Sequence, residues 1–171
     1  GLAIINHRAI RAVQMLDADG TSLLLSLALA SAGLGAIYCS DSSLVTVNDL
    51  GPLGFANDEL GQPRWQALAR RLEEGSHPCR VISPSRRFTQ QAAVLVGSQV
   101  TKYQRYEPLM RGSTPHLAIE YSMNKTLVTP LVIPGQTPCL SCRYSTEIKR
   151  DADWPALTTQ LQMRSDRLDD S

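Results

Sequence analysis

Apolar and polar positions alternate along this chain in short runs, each closed by a cluster of Gly, Asp, Ser or Pro. Arg11 to Leu16 reads as a short strand and Asp17-Ala18-Asp19-Gly20 as the turn behind it. Thr21 to Ala32 is Leu- and Ala-rich on nearly every face, which predicts a buried helix closed by Gly33 and Gly35. Ala36 to Ser40 follows as a second strand ending on Asp41. A helix from Pro63 to about Glu74 starts on proline and carries Trp65, Leu68 and Leu72 on one face. Cys79 to Ser83 and the continuously apolar Ala92 to Val96 are two more strands, the latter typical of a parallel sheet. Thr101 to Met110 reads as a polar helix closed by Gly112. His116 to Tyr121 and Thr126 to Ile133 read as strands joined by a tight turn, Ser122-Met123-Asn124-Lys125. A hairpin-like run, Pro134-Gly135-Gln136-Thr137-Pro138, precedes two cysteines, and Trp154 to Met163 reads as a last helix before a frayed polar end, Arg164 to Ser171. Alternating strands and helices followed by a late hairpin predict an α/β fold with a mostly parallel sheet.

Length and composition narrow the classes. A chain of 171 residues, 43% hydrophobic and 19% charged, can bury one sizeable core. With no internal repeat and no low-complexity linker, 1–171 is expected to form a single domain; Gly1 in place of Met points to trimming at one or both ends. A formal net charge of +1 without a dense basic patch argues against nucleic acid as a partner. The longest apolar run, Leu23 to Ala30, is too short to cross a bilayer, so no membrane partner is expected. No charged segment precedes a signal-type apolar stretch, and four irregularly spaced cysteines do not form a disulfide framework. Both features predict a cytoplasmic protein.

Three places carry candidate chemistry. In a parallel α/β sheet, a ligand phosphate sits at the N-terminus of the first helix, where glycines let the backbone approach it. Here that turn reads Leu16-Asp17-Ala18-Asp19-Gly20-Thr21-Ser22: Gly20 is its one glycine, and Asp17 and Asp19 would repel a phosphate. The same turn reads more simply as a capped start to a core helix. Asp41, at the tip of the second strand, is placed either to accept hydrogen bonds from ribose hydroxyls or to shape a strand-end turn. Cys139-Leu140-Ser141-Cys142 has the spacing of a zinc half-site, of a pair of structural thiols, or of a redox pair. Cys39 and Cys79 fall in strands and read as small core residues; His77 and His116 would complete a metal site only if the fold brought them near.

Taken in order, the strand into Asp41, the run Val45-Thr46-Val47-Asn48-Asp49-Leu50, the helix start Leu60-Gly61-Gln62-Pro63-Arg64 and the pair Cys139/Cys142 resemble the ThiF/MoeB/HesA family. These are relatives of ubiquitin-activating enzymes that adenylate a C-terminal carboxylate with ATP. The resemblance spans Val13 to Leu161. In Val128 to Leu140 and Arg150 to Leu157 it looks closest to an actinobacterial, cyclodehydratase-like branch of modified-peptide biosynthesis. It implies a Rossmann-like sheet with flanking helices, a homodimer, and a peptide or small carrier protein as partner. It also implies an ATP/Mg site with Arg64, in place of the family's Lys, facing the phosphates. A second cysteine pair outside this chain would complete a zinc site with Cys139 and Cys142.

The departures from the family pattern are as informative. Asp-x-Asp is here Asp41-Ser42-Ser43, and Asn-Leu-x-Arg-Gln is Asp49-Leu50-Gly51-Pro52-Leu53, which loses the phosphate-binding Arg. Where the family carries a magnesium-supporting Asp, this chain has Val96-Gly97-Ser98-Gln99-Val100. Phosphoryl chemistry needs its charge neutralised by metal and basic groups. The expectation is therefore a degenerate relative that holds a peptide or protein without adenylating it. The alternatives are a working adenylyltransferase with an altered site, built on Gly20, Asp41 and Arg64, and a structural subunit supporting an active partner.

Overall fold

The computed structural model describes residues 7–75, 79–86, 91–98, 101–122 and 125–169. His77, Gln99-Val100 and Met123-Asn124, named above, lie outside them. The chain divides into two compact units, residues 1–96 and 97–171.

The first unit is built on parallel strands: β1 (Ala12–Met15), β2 (Ala36–Cys39), β3 (Arg80–Ile82) and β4 (Ala92–Ser98), whose last two residues fall beyond the division. Their order is β3-β2-β1-β4, so the chain steps outward from β1 to β3 and then returns to its other side. Such a reversal leaves a crevice at the carboxyl ends of the two strands that flank it, the usual ligand position in open α/β sheets. Met15, Ile37 and Leu95 are fully buried, and with Leu23, Leu68 and Leu72 they supply much of the apolar core.

Helix α1 (Gly20–Ser31) starts one residue earlier than expected and is not buried all round. Its inner face is Ser22, Leu23, Ser26 and Ala30, whereas Leu24 is 41% exposed. Small side chains on that face let the helix lie close, and the leucines spread around it instead of lining one stripe. Helix α2 (Arg64–Glu73) buries Ala67, Leu68 and Leu72; Trp65, expected in that stripe, is only half-buried.

The second unit carries α3 (Tyr103–Arg111, capped by Gly112), the antiparallel pair β5 (His116–Ser122) and β6 (Lys125–Val128), α4 (Leu140–Arg150) and α5 (Trp154–Asp169). Strand β6 ends five residues short of the expected Ile133, and pairing resumes only where Val132 bridges His116. The run Pro134 to Pro138 is no hairpin: it is a turn, with Gly135 at φ 78°, that feeds directly into α4. Helix α5 extends to Asp169, past the Met163 end read from the sequence. The fold is thus α/β with a mostly parallel sheet, flanking helices and a late antiparallel hairpin, as the hydrophobic pattern predicts.

Candidate functional site

Asp41 leaves the end of β2 beside the start of α1, and its carboxylate is fully used by neighbours. Oδ2 accepts from the Ala18 N–H (3.0 Å) and from Arg64 Nη1 (3.3 Å), and Oδ1 accepts from the N–H (2.9 Å) and hydroxyl of Ser43. Burial alone would raise this carboxyl, but the Ser43 and Ala18 donors and the Arg64 charge outweigh it and hold Asp41 below the usual carboxylate range. Asp41 therefore ties the turn after β1 to the tip of β2.

Arg64 arrives by a separate route. Gly61, at φ +77°, turns the chain so that Gln62 and Pro63 run back along Ser43 to Val45. The Val45 N–H donates to the Gln62 carbonyl, and the Arg64 N–H to the Ser43 carbonyl. That docking delivers the guanidinium to Asp41 and also to Asp49. Nε donates to Asp49 Oδ2 (3.1 Å) and Nη2 to both Asp49 oxygens (2.9 and 2.8 Å), while Nη1 serves Asp41 and the Ser43 hydroxyl (3.1 Å). This is the two-pronged geometry that Arg offers a carboxylate or a phosphate. Here the chain's own carboxylates fill it.

Asp49 is fixed from its other side as well. It closes a 3-10 turn (Val47–Asp49), and its Oδ2 accepts from the N–H (2.8 Å) and hydroxyl (2.9 Å) of Thr46. Its side chain is 5% exposed and that of Arg64 20%. Asp41, Asp49 and Arg64 together carry one net negative formal charge. Burial works against the Arg64 charge, yet the two acids more than compensate and raise its pKa further.

The turn into α1 is similarly occupied. Asp19 Oδ1 caps the helix by accepting the Ser22 N–H (2.8 Å), and Asp17 Oδ2 accepts the Val96 N–H (2.7 Å) at the end of β4. One of the helix N–H groups that would meet a phosphate is thus taken by an acid of this chain. A Cβ on Gly20 would meet Gly54 Cα at 3.6 Å, ordinary contact, so packing does not demand glycine there. Gly54 is the constrained position: its Cβ would lie 2.3 Å from the Asp49 carbonyl oxygen.

These residues do not suit a magnesium triphosphate. Every nitrogen of the Arg64 guanidinium is committed, and the nearby carboxylates repel further negative charge. Sequence reasoning missed the part played by Asp49, Ser43, Thr46 and Gly54. One signal was present, since Thr46-x-x-Asp49 has capping-box spacing. Glu59 was missed too. Its buried carboxylate accepts from the Ala56 N–H (2.7 Å) and from Arg70 and Arg71, clamping the loop before α2 to that helix.

Cys139 and Cys142 lie in the second unit, as N-cap and third residue of α4, with their sulfurs 3.3 Å apart. Burial opposes ionisation of Cys139, but N–H groups of the first helical turn and the Cys142 thiol lower its pKa. No third His, Cys, Asp or Glu joins them among the described residues, so a zinc ion there would need ligands from elsewhere. His116 is not one. It is fully buried, stacked near Tyr106, with Nδ1 on the Thr114 carbonyl. Cys39 and Cys79 are core thiols, pushed up by burial to about 12 and about 11. Helix α4 is pinned to β5 by buried Glu120, which accepts from Arg143 Nη1, the Tyr144 hydroxyl (both 2.8 Å) and the Thr101 N–H.

No family model matches this chain, and no curated sequence does. Solved structures do. Escherichia coli MccB, solved with AMPCPP and MccA, superposes with a TM-score of 0.71 at 19% identity, over 93% of this chain and 50% of MccB. MccB with ATP gives 0.69 at 19% identity, over 83% and 46%. The chain has the MccB fold. PaaA is also similar, with a TM-score of 0.64 at 12% identity over 80% of this chain and 46% of PaaA. MccB is described as a microcin C7 biosynthetic enzyme. The likeness supports the Rossmann-like α/β fold expected from the sequence. The chain spans about half the length of these neighbours.

Proposed function

We propose that this chain is a ThiF/MoeB-like protein with a degenerate ATP site, acting as a non-catalytic or weakly active peptide- or protein-binding partner in a biosynthetic or modification pathway. The observation that carries this is the saturation of Arg64 by Asp49, Asp41 and Ser43. A triphosphate would have to displace two carboxylates to use that guanidinium, and the acids so freed would face it. A peptide partner is supported by the neighbours: MccB has been solved with its peptide MccA, including an N-formylated form. The family resemblance supports a homodimer and the cyclodehydratase-like branch, and four irregularly spaced cysteines fit a cytoplasmic setting. Zinc at Cys139 and Cys142 would be completed by residues outside the described ones. Pyrophosphate exchange into ATP, measured with candidate peptide C-termini, tests the reading: exchange at or barely above background is expected, and rapid exchange that saturates with ATP and peptide overturns it.

The second reading is an active adenylyltransferase that acts on a C-terminal carboxylate. It is favoured by MccB structures holding ATP and AMPCPP on the same fold. On that reading Arg64 would leave Asp49 for the phosphates, and Arg64→Ala would abolish nucleotide turnover. Turnover unchanged in that variant would exclude it.

A further inference from the structure

The second unit holds a cleft of about 430 Å³, within the range of about 300–1,000 Å³ usual for small-ligand sites. It is walled by α3, α4 and α5, and two features of its lining set it apart from a packing gap. The first is its composition. Tyr103, Tyr106, Tyr144 and Trp154 supply aromatic surface, Ser145 and Thr158 supply hydroxyls, and no charged side chain among the described residues lines it. Tyr103 is 56% exposed and Ile148, also on the wall, 46%, so apolar surface stands open at the mouth. The second is an unmet bond: the indole N–H of Trp154 is buried and meets no acceptor among the described residues. A buried donor left unpaired costs about 1–3 kcal/mol, a cost recovered when an acceptor arrives.

We propose that this cleft binds an uncharged peptide segment, burying one apolar or aromatic side chain against the tyrosines while a main-chain carbonyl accepts from Trp154. On binding, the indole turns its N–H edge toward that carbonyl. A lining without charge among the described residues offers nothing to balance a nucleotide or a free carboxylate and suits the interior of a peptide. Tyr and Trp provide large contact area at small entropic cost, which fits them to such a groove. The inference rests on the peptide-partner reading for its ligand and places that ligand away from the Asp41–Arg64–Asp49 cluster.

The indole N–H reports directly. In a ¹⁵N-labelled sample the chain gives two indole cross-peaks, assigned with Trp65→Phe, and N-acetyl-phenylalanine amide is the probe. The Trp154 indole proton should move downfield and saturate while Trp65 stays in place; toluene, which lacks a carbonyl, should produce no such downfield shift. Thr158→Phe, which fills the cleft from α5, should abolish the shift with the folded spectrum retained. An unmoved Trp154 peak up to the probe's solubility limit overturns the proposal, as does an undiminished shift in Thr158→Phe. A Trp154 peak that moves with protein concentration alone assigns the cleft to a second copy and likewise overturns it. None of these outcomes bears on nucleotide exchange, so failure of the cleft and failure of the silent-site reading are separately visible.

Discussion

At the residue scale, the Arg64 guanidinium has no free donor. Arg64 and Asp49 are both largely buried, and Asp49 also holds Thr46, so the pair belongs to the local fold as much as to any ligand site. Removing one member of a buried ion pair leaves the other uncompensated and costs about 3–5 kcal/mol. Arg64→Ala should therefore lower unfolding stability by about 3 kcal/mol, read from the midpoint of denaturant unfolding; a change under about 0.5 kcal/mol would place Arg64 among ordinary surface residues. Asp49→Asn keeps the shape and an acceptor for Thr46 but gives up the charge facing Arg64. Of single substitutions, it is the one expected to loosen that guanidinium without dismantling the turn.

At the element scale, the helix N-terminus that would cradle a phosphate is closed by its own cap. Asp19→Ala should destabilise the chain by about 1 kcal/mol through loss of the bond to the Ser22 N–H. Gly54→Ala should also destabilise it, because the new Cβ meets the Asp49 carbonyl and the loop must shift. Thermal unfolding of the two variants checks both, and a native-like transition in Gly54→Ala would show that the loop has room to give. The elements themselves were largely legible in the sequence. Strands β1, β2 and β4 announce themselves as short apolar runs closed by turn residues, and Pro63 marks the start of α2. The misreadings share a physical cause, since burial depends on what a segment packs against. The leucines of α1 gave no sign that Ser22 and Ser26 would face inward. The run from Thr126 to Ile133 gave no sign that its pairing would break before Val132. Gly20, Asp41 and Arg64 were legible as candidates. That Asp49 would neutralise Arg64 was not, because it requires the loop from Ser42 to Gln62 to fold back on itself.

At the scale of the whole molecule, acid stability and thiol chemistry follow from the same arrangement. Asp41 and Glu59 are buried, which raises their carboxyls, but hydrogen bonds and arginine charges prevail and hold both below their ordinary values. A depressed folded pKa means the unfolded chain takes up the proton first. The stability these groups contribute is complete above the unfolded value, about 4, and is lost as pH falls through the folded values. Asp41→Asn should flatten the acid limb of the stability curve below about pH 5; an unchanged limb would mean that Asp41 is not held by Ala18, Ser43 and Arg64 in solution. Of the four thiols, Cys142 is exposed and Cys139 partly so, whereas Cys39 and Cys79 are buried and raised. Iodoacetamide on the native, metal-free chain should label Cys139 and Cys142 and reach the other two only after unfolding.

The most direct measurement is calorimetric titration of this chain with ATP and magnesium, alongside Arg64→Ala. If the guanidinium is consumed by Asp49 and Asp41, neither protein will give a binding isotherm at millimolar nucleotide. A saturable isotherm for the native chain that weakens in Arg64→Ala would contradict the account, because Arg64 would then be exchanging its own carboxylates for phosphates.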